Sequence, residues 1–226
     1  MSDSASTLRQ LPRGRHHLSR EEVVASQRER ILVALGEAMT ERGYVGTPVA
    51  AVLKRAGVSR ETFYELFRSK EDCFAAAFDR ASGLLAARLQ GVIAETVDAD
   101  AFTRMDRILT AYFDHMIDDP ASARLFLVEV YAVGTSAIAA RMELQSRFVA
   151  VVAAMLGAET AEQQFACATL AAAIGAMVTG KIAGDDLAGL RALKEPLIDL
   201  ARRSGTVYGN AFGGVDPSSG ALESRP

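Results

Sequence analysis

The 226-residue sequence predicts an all-α fold. Three observations carry that expectation. Apolar residues recur at intervals of three and four through most of the chain, the pattern of helices with one buried face. Capping residues and glycines punctuate those segments at helix-length intervals. Finally, no run of alternating apolar and polar β-formers bounded by turns occurs anywhere in the sequence.

Residues 1–18 are polar, aperiodic and rich in Arg, and are expected to form a flexible basic arm. Ser19 is an N-cap, with Glu21 and Glu22 in a first turn where the helix dipole favours acids. Ile31, Leu35, Ala38 and Met39 continue that helix, and Gly43 closes it. Thr47-Pro48 reads as an N-cap followed by Pro at the first helical position, opening a short helix to about Ala56. Gly57-Val58 is a tight turn, and Ser59 caps another short helix to about Phe67. Ser69 caps a much longer helix that starts at Lys70.

Further helices are expected over 70–96, 101–118, 121–133, 136–156, 160–182 and 186–204. Asp119-Pro120, Gly134, Gly157 and Gly184 separate them, Thr160 and Gln163 form a capping box, and Pro196 is expected to kink the last. The stretch from 205 to 226, with GNAFGG and DPSSG, is expected to be disordered.

Composition excludes several classes. Half of the residues are apolar and 23% are charged, as in ordinary globular chains. Two cysteines, Cys73 and Cys167, cannot staple a chain of this length, and read as buried thiols. His115 has no second His or Cys at ligand spacing, so no metal is expected. No nucleophile-base pair can be proposed, so neither enzyme activity nor a cofactor is expected. The first 17 residues lack the apolar run of a signal peptide, and the most apolar stretch, 166–180, falls short of a bilayer span. A cytoplasmic protein without membrane contact is the expectation.

The net charge of −3 conceals a split. Residues 1–70 carry 12 basic and 8 acidic side chains, whereas residues 71–226 carry 13 and 20. A head of +4 on a body of −7 suits a protein whose head touches a polyanion.

The segment 48–67 sharpens that hint. A short helix over Pro48–Arg55, the turn Ala56-Gly57-Val58 and a second helix over Ser59–Phe67 make a helix-turn-helix. Val49, Val52, Leu53, Phe63 and Phe67 can share a core with Ile31, Leu35 and Met39. Arg60, Glu61 and Tyr64 then point outward from the second helix, as major-groove reading requires.

Residues 43–74, GYVGTPVAAVLKRAGVSRETFYELFRSKEDCF, resemble the DNA-binding signature of the tetracycline-repressor (TetR) family of bacterial regulators. The resemblance implies a three-helix DNA-binding domain over 19–69 and a helical effector-binding and dimerisation domain over 70–204. It implies that Thr47 gives its hydroxyl and N–H to a phosphate, that Lys70 grips another, and that Thr62 and Tyr64 reach the backbone or a base edge. Ser59 opens the recognition helix, and Arg60 and Glu61 occupy base-reading positions, Arg60 to guanine being the favoured contact. Leu66 stands where many members carry a phosphate-binding His, and Glu65 beside it repels phosphate, so modest affinity that falls steeply with salt is expected. The arm with Arg9, Arg13, Arg15, His16 and His17 either enters a minor groove or stays a solvated tail.

For the body, the resemblance implies that the long fourth helix, with Phe74, Phe78, Leu84, Leu85 and Leu89, walls an effector chamber. Phe102, Met105, Leu109, Tyr112, Phe113, Met116, Phe126, Phe148 and Met155 are the candidate lining, although such stripes also suit a plain core. No cluster of inward polar groups is visible, so a small apolar effector is expected. Helices 160–182, rich in small residues, and 186–204 are implied to pair across a two-fold axis into a homodimer. The resulting expectation is a ligand-responsive repressor on a palindromic double-stranded DNA operator. Two alternatives stand beside it: a helical small-molecule carrier that has lost DNA binding, and a regulator controlled by a protein partner.

Overall fold

The computed structural model describes residues 19–204 and 206–212, so the basic arm over 1–18 and the chain from 213 lie outside the described residues. Among the described residues the structure is helical throughout, with no strand. The helices are α1 (Arg20–Arg42), α2 (Val49–Ala56), α3 (Arg60–Leu66), α4 (Lys70–Glu95), α5 (Ala101–Asp118), α6 (Pro120–Leu127), α7 (Thr135–Leu156), α8 (Ala161–Ala183), α9 (Leu187–Arg191) and α10 (Lys194–Arg203). The chain divides into two compact units, Met1–Ala77 and Phe78–Pro226, with the boundary inside α4.

Local signals set most of the helix ends. Ser19 and Glu22 form a capping box on α1, Thr160 and Gln163 form another on α8, and the Ser59 hydroxyl accepts from the Thr62 N–H. Gly57 takes a left-handed conformation (φ 64°, ψ 41°) and closes α2. Ser69 accepts from the Asp72 N–H to cap α4. Pro48, rather than Thr47, occupies the N-cap of α2.

In the first unit, Ile31, Leu35, Met39, Val52, Phe63 and Phe67 are buried together with Tyr44, Cys73 and Phe74. The first two turns of α4 thus belong to this core; the Phe74 ring meets Tyr44 edge-on at 5.5 Å. Phe74 is therefore a core residue of the head and not a chamber wall, and Leu84 is exposed.

The second unit is organised by α5, whose buried Met105, Ile108, Leu109, Tyr112 and Met116 form one continuous stripe. Its start is fixed by Arg104, which donates to the carbonyls of Thr96, Val97 and Ala99. On α8, Cys167, Leu170, Ala171, Ile174, Val178 and Ile182 face inward. By length and composition α8 is apolar enough to cross a membrane, yet 39% of its most apolar window is buried inside the fold.

Two expected helices are broken. The stretch 121–133 ends as an α-helix at Leu127 and continues as a 3₁₀ turn over Glu129–Ala132. The stretch 186–204 splits at Ala192-Leu193, and Pro196 sits in the first turn of α10, where its missing N–H costs nothing. The segment 206–212, expected to be disordered, is docked. Asn210 donates its N–H to the Gly157 carbonyl at 3.1 Å, and the Gln163 amide donates to the Thr206 carbonyl at 3.2 Å. The Cys167 thiol, 3.0 Å from the Tyr208 carbonyl, adds a third tie. These bonds to α7 and α8 supply what the polar composition concealed.

Candidate DNA-reading face and effector cavity

The first unit presents α3 to solvent. Arg60, Glu61, Tyr64 and Glu65 are exposed on it, whereas Phe63 is buried beneath them. The Arg60 guanidinium lies 5.7 Å from the Tyr64 ring centre, a loose cation–π pairing that keeps both side chains on one outer face. Thr62 is half-buried, its hydroxyl 2.9 Å from that of Ser59 at the N-cap. Ser59, Arg60, Glu61 and Tyr64 are thus gathered at one end of a short exposed helix, held by the left-handed Gly57 and the buried Phe63 and Phe67. Arg55 at the end of α2 faces Glu41 and Glu37 of α1, so its charge is largely neutralised.

Thr47 and Lys70, the two residues that the resemblance assigns to phosphates, both make bonds within the head. Thr47 is fully buried; its hydroxyl donates toward the Gly43 carbonyl at 2.7 Å and the Ala38 carbonyl at 3.2 Å. Its N–H donates to the Tyr44 carbonyl at 3.2 Å. With both groups engaged at the end of α1, Thr47 holds the α1–α2 corner. The Lys70 ammonium donates to the carbonyls of Tyr44 and Thr47 at 2.9 and 3.2 Å and packs on the Tyr44 ring. Both residues brace the first unit from within, and two of the three Lys70 N–H donors are used in doing so.

The second unit contains a cavity of about 410 Å³, within the range of small-molecule sites. Leu85, Ala86, Leu89 and Ile93 of α4, Tyr112 of α5, Phe126 of α6, and Leu144, Phe148 and Val151 of α7 supply most of its apolar wall. A smaller void of about 30 Å³ adjoins it, sharing Leu89, Tyr112, Phe148 and Val151 and bounded further in by Met105, Leu109 and Met155. The Tyr112 and Phe148 rings stack at 5.7 Å between the two spaces. Burial pushes the Tyr112 phenol up to about 12, against the opposing charge of Arg141, so it stays neutral at physiological pH.

Six of the nine candidate lining residues reach these spaces: Met105, Leu109, Tyr112, Phe126, Phe148 and Met155. Phe113 and Met116 are buried elsewhere in the core, and Phe102 lies under the Arg202 guanidinium at 5.5 Å. The wall is also not purely apolar. Arg141 and Gln145 of α7 line the cavity, the guanidinium donating to the Gln145 side-chain oxygen at 3.1 Å. Neither was singled out by sequence, because an Arg and a Gln four residues apart normally form a surface pair. Among the described residues no group of His, Cys, Asp and Glu is placed to hold a metal ion.

An exposed short helix after a glycine turn, joined in one chain to a helical unit with a ligand-sized cavity, is the arrangement a ligand-responsive helix-turn-helix regulator requires. Residues 31–77 match the family model of bacterial regulatory proteins of the tetR family. The helix-turn-helix of the first unit thus lies within the segment that is similar to the tetR-family regulators.

The chain is 28% identical over 105 residues to the HTH-type transcriptional activator FasR of Mycolicibacterium smegmatis. That match covers 46% of this chain, and the chain spans about half of FasR, 47% of its length. FadR from Bacillus subtilis in complex with stearoyl-CoA shares the fold at a TM-score of 0.64 and 21% identity, over 76% of this chain and 96% of that one. A transcriptional regulator from Rhodococcus sp. Rha1 is 26% identical at a TM-score of 0.58, over 77% and 92%.

Proposed function

We propose that this chain is a homodimeric, cytoplasmic repressor that leaves a palindromic operator when an effector with a large apolar part fills the cavity of the second unit. One observation carries the proposal: α4 braces the DNA-reading head with Lys70, Cys73 and Phe74, and lines the cavity with Leu85, Ala86 and Leu89. A ligand that favours one position of these wall residues biases the same helix that anchors the head. A coupling of about 1–3 kcal/mol would change DNA affinity by roughly 5- to 150-fold. The stearoyl-CoA held by the FadR neighbour supports an effector with a long apolar chain.

In this proposal Arg60 reads a base, Glu61 and Tyr64 flank it, and Ser59 and Thr62 face the backbone, while Thr47 and Lys70 act by holding α3 in place. Dimerisation is assigned to α8 and α10. Phe165 is 75% exposed and continues through Thr169, Ala172, Ala176 and Gly180 along one outer face, with Leu200 of α10 also exposed. An apolar, small-residue stripe of this kind suits close approach of a second copy, and two-fold pairing would present two recognition helices to two half-sites.

Selection of bound duplexes from random DNA, followed by a mobility-shift assay, tests the proposal. The expected result is a palindromic site bound by the wild-type chain and weakened about 10- to 100-fold by Arg60→Ala, the loss for one bidentate base contact. No enriched site, or a shift indifferent to Arg60→Ala, overturns specific operator binding. FasR favours a second reading, since it is an activator. A reporter carrying the selected site distinguishes the two by whether expression rises or falls when the gene for this chain is deleted.

A further inference from the structure

We propose that the cavity takes an amphiphilic acid, with Arg141 and Gln145 holding its carboxylate and the apolar chain running along α7 toward Met155. The inference rests on the effector-responsive reading above and deepens it by naming the head group.

The geometry begins with an uncompensated cation. Arg141 has no carboxylate partner among the described residues; its one hydrogen bond goes to the neutral Gln145. Its Nε, and the Nε2 of Gln145, are buried and donate to nothing. Two buried donors without acceptors are costly, and natural structures leave them so where a ligand or water completes the site. Both belong to residues on the cavity wall. The other charged groups there are already accounted for: Arg147 is paired with Glu143 at 3.1 Å, and Asp79 is exposed.

The neighbouring helix leaves room for this pair. On α8 a glycine, Gly175, stands opposite, and a Cβ there would come within 3.4 Å of the Gln145 side-chain oxygen and 3.8 Å of Arg141 Nη2. Turned toward the cavity that their residues line, a guanidinium N–H and a primary amide would offer two donors to a planar, two-oxygen acceptor, which is the geometry of a carboxylate. Burial in an otherwise apolar wall strengthens the pairing relative to water.

The chain direction follows from helical spacing. Arg141, Gln145, Phe148, Val152 and Met155 recur every three or four residues on one face of α7, about 21 Å from first to last. The polar pair stands at one end of that row. Phe148 borders both spaces, and Val152 and Met155 reach only the inner void. A head at Arg141 therefore sends its tail past the Tyr112–Phe148 stack, where the flexible Met155 can move aside.

The test measures binding of dodecanoate and hexadecanoate, their methyl esters, the matching primary alcohols and hexadecanoyl-CoA to the full chain. Calorimetry below the micellar concentrations and melting temperature are the readouts, for wild type, Arg141→Gln and Gln145→Met. The acids should bind about 10- to 100-fold more tightly than esters or alcohols, the value of charged hydrogen bonds. Arg141→Gln should erase that preference while alcohol binding stays within about twofold. Equal affinity of acid, ester and alcohol, unmoved by Arg141→Gln, overturns the carboxylate anchor and leaves an apolar effector standing. Binding of the CoA thioester but not of the acids also overturns it. Failure of every probe overturns the effector reading as well. If Arg141→Gln does not fold, Gln145→Met and the wild-type comparison of acid with alcohol decide the matter.

Discussion

The Lys70 ammonium lies 3.9 Å from the centre of the Tyr44 ring and donates to the Tyr44 carbonyl at 2.9 Å. The Tyr44 hydroxyl in turn donates to Glu71 at 3.0 Å, and burial together with that carboxylate pushes the phenol well above its ordinary value. The first two residues of α4 are thus fastened to the connection between α1 and α2. The lysine that the resemblance assigns to phosphate also fastens α4 to this connection.

Replacing Lys70 should therefore act on stability before it acts on charge. Lys70→Met is expected to lower the stability of the first unit by about 1–3 kcal/mol, as when hydrogen bonds to a charged group are lost. The salt dependence of DNA binding should keep its slope. A phosphate contact would behave differently, reducing the slope of log affinity against log salt by about one. Melting curves and binding isotherms at several salt concentrations separate the two outcomes.

Gly57 sits at φ 64°, in the turn that sets the angle between α2 and α3. A side chain there meets only the Arg30 guanidinium at 3.7 Å, so the cost of Gly57→Ala is conformational rather than steric. About 1–2 kcal/mol of destabilisation is expected, read as a fall in denaturation midpoint with an unchanged denaturant slope. An Ala variant as stable as the wild type would contradict the left-handed turn.

His115 is buried on α5 with its Nε2 lacking a partner. Burial, aided by the charge of Arg88, lowers its pKa below the usual 6.5, against the opposing pull of Asp119 and Asp118. Below about pH 6.5 the unfolded chain binds a proton that the folded chain resists, so His115 stabilises the fold above that pH and the contribution is lost on acidification. His115→Gln should flatten the decline in melting temperature between pH 6.5 and the lowered folded value. An unchanged slope would remove His115 from the acid response.

Phe165 at 75% exposure tests the assembly. Phe165→Glu places a charge in the middle of the proposed symmetric interface, where it meets its own copy across the axis. Sedimentation at micromolar concentration is expected to show a monomer with the wild-type melting profile for the isolated fold and strongly weakened operator binding. A variant that remains dimeric assigns the interface to another face.

Much of this architecture is legible in local sequence, because the forces behind it act over one or two helical turns. The Ser19–Glu22 and Thr160–Gln163 boxes, the Ser59 cap and the Gly57 turn all follow from backbone groups that need partners within four residues. The stripe Met105–Met116 on α5 follows from hydrophobic periodicity in the same way. The outward face of α3 is legible too, since Phe63 and Phe67 can only point inward.

Other features depend on which surfaces meet. The Thr47 hydroxyl finds its acceptors only where α1 brings the Ala38 and Gly43 carbonyls to it. Arg141 and Gln145 look like a solvated i, i+4 pair, and became cavity donors only because Gly175 of α8 leaves space beside them. The segment 206–212 is held by polar partners on α8 and on the α7–α8 connection, some fifty residues away in sequence. Helix identity is a short-range property and survives in the amino-acid order. The direction in which a polar side chain is satisfied is a long-range one, and it is settled when the helices pack.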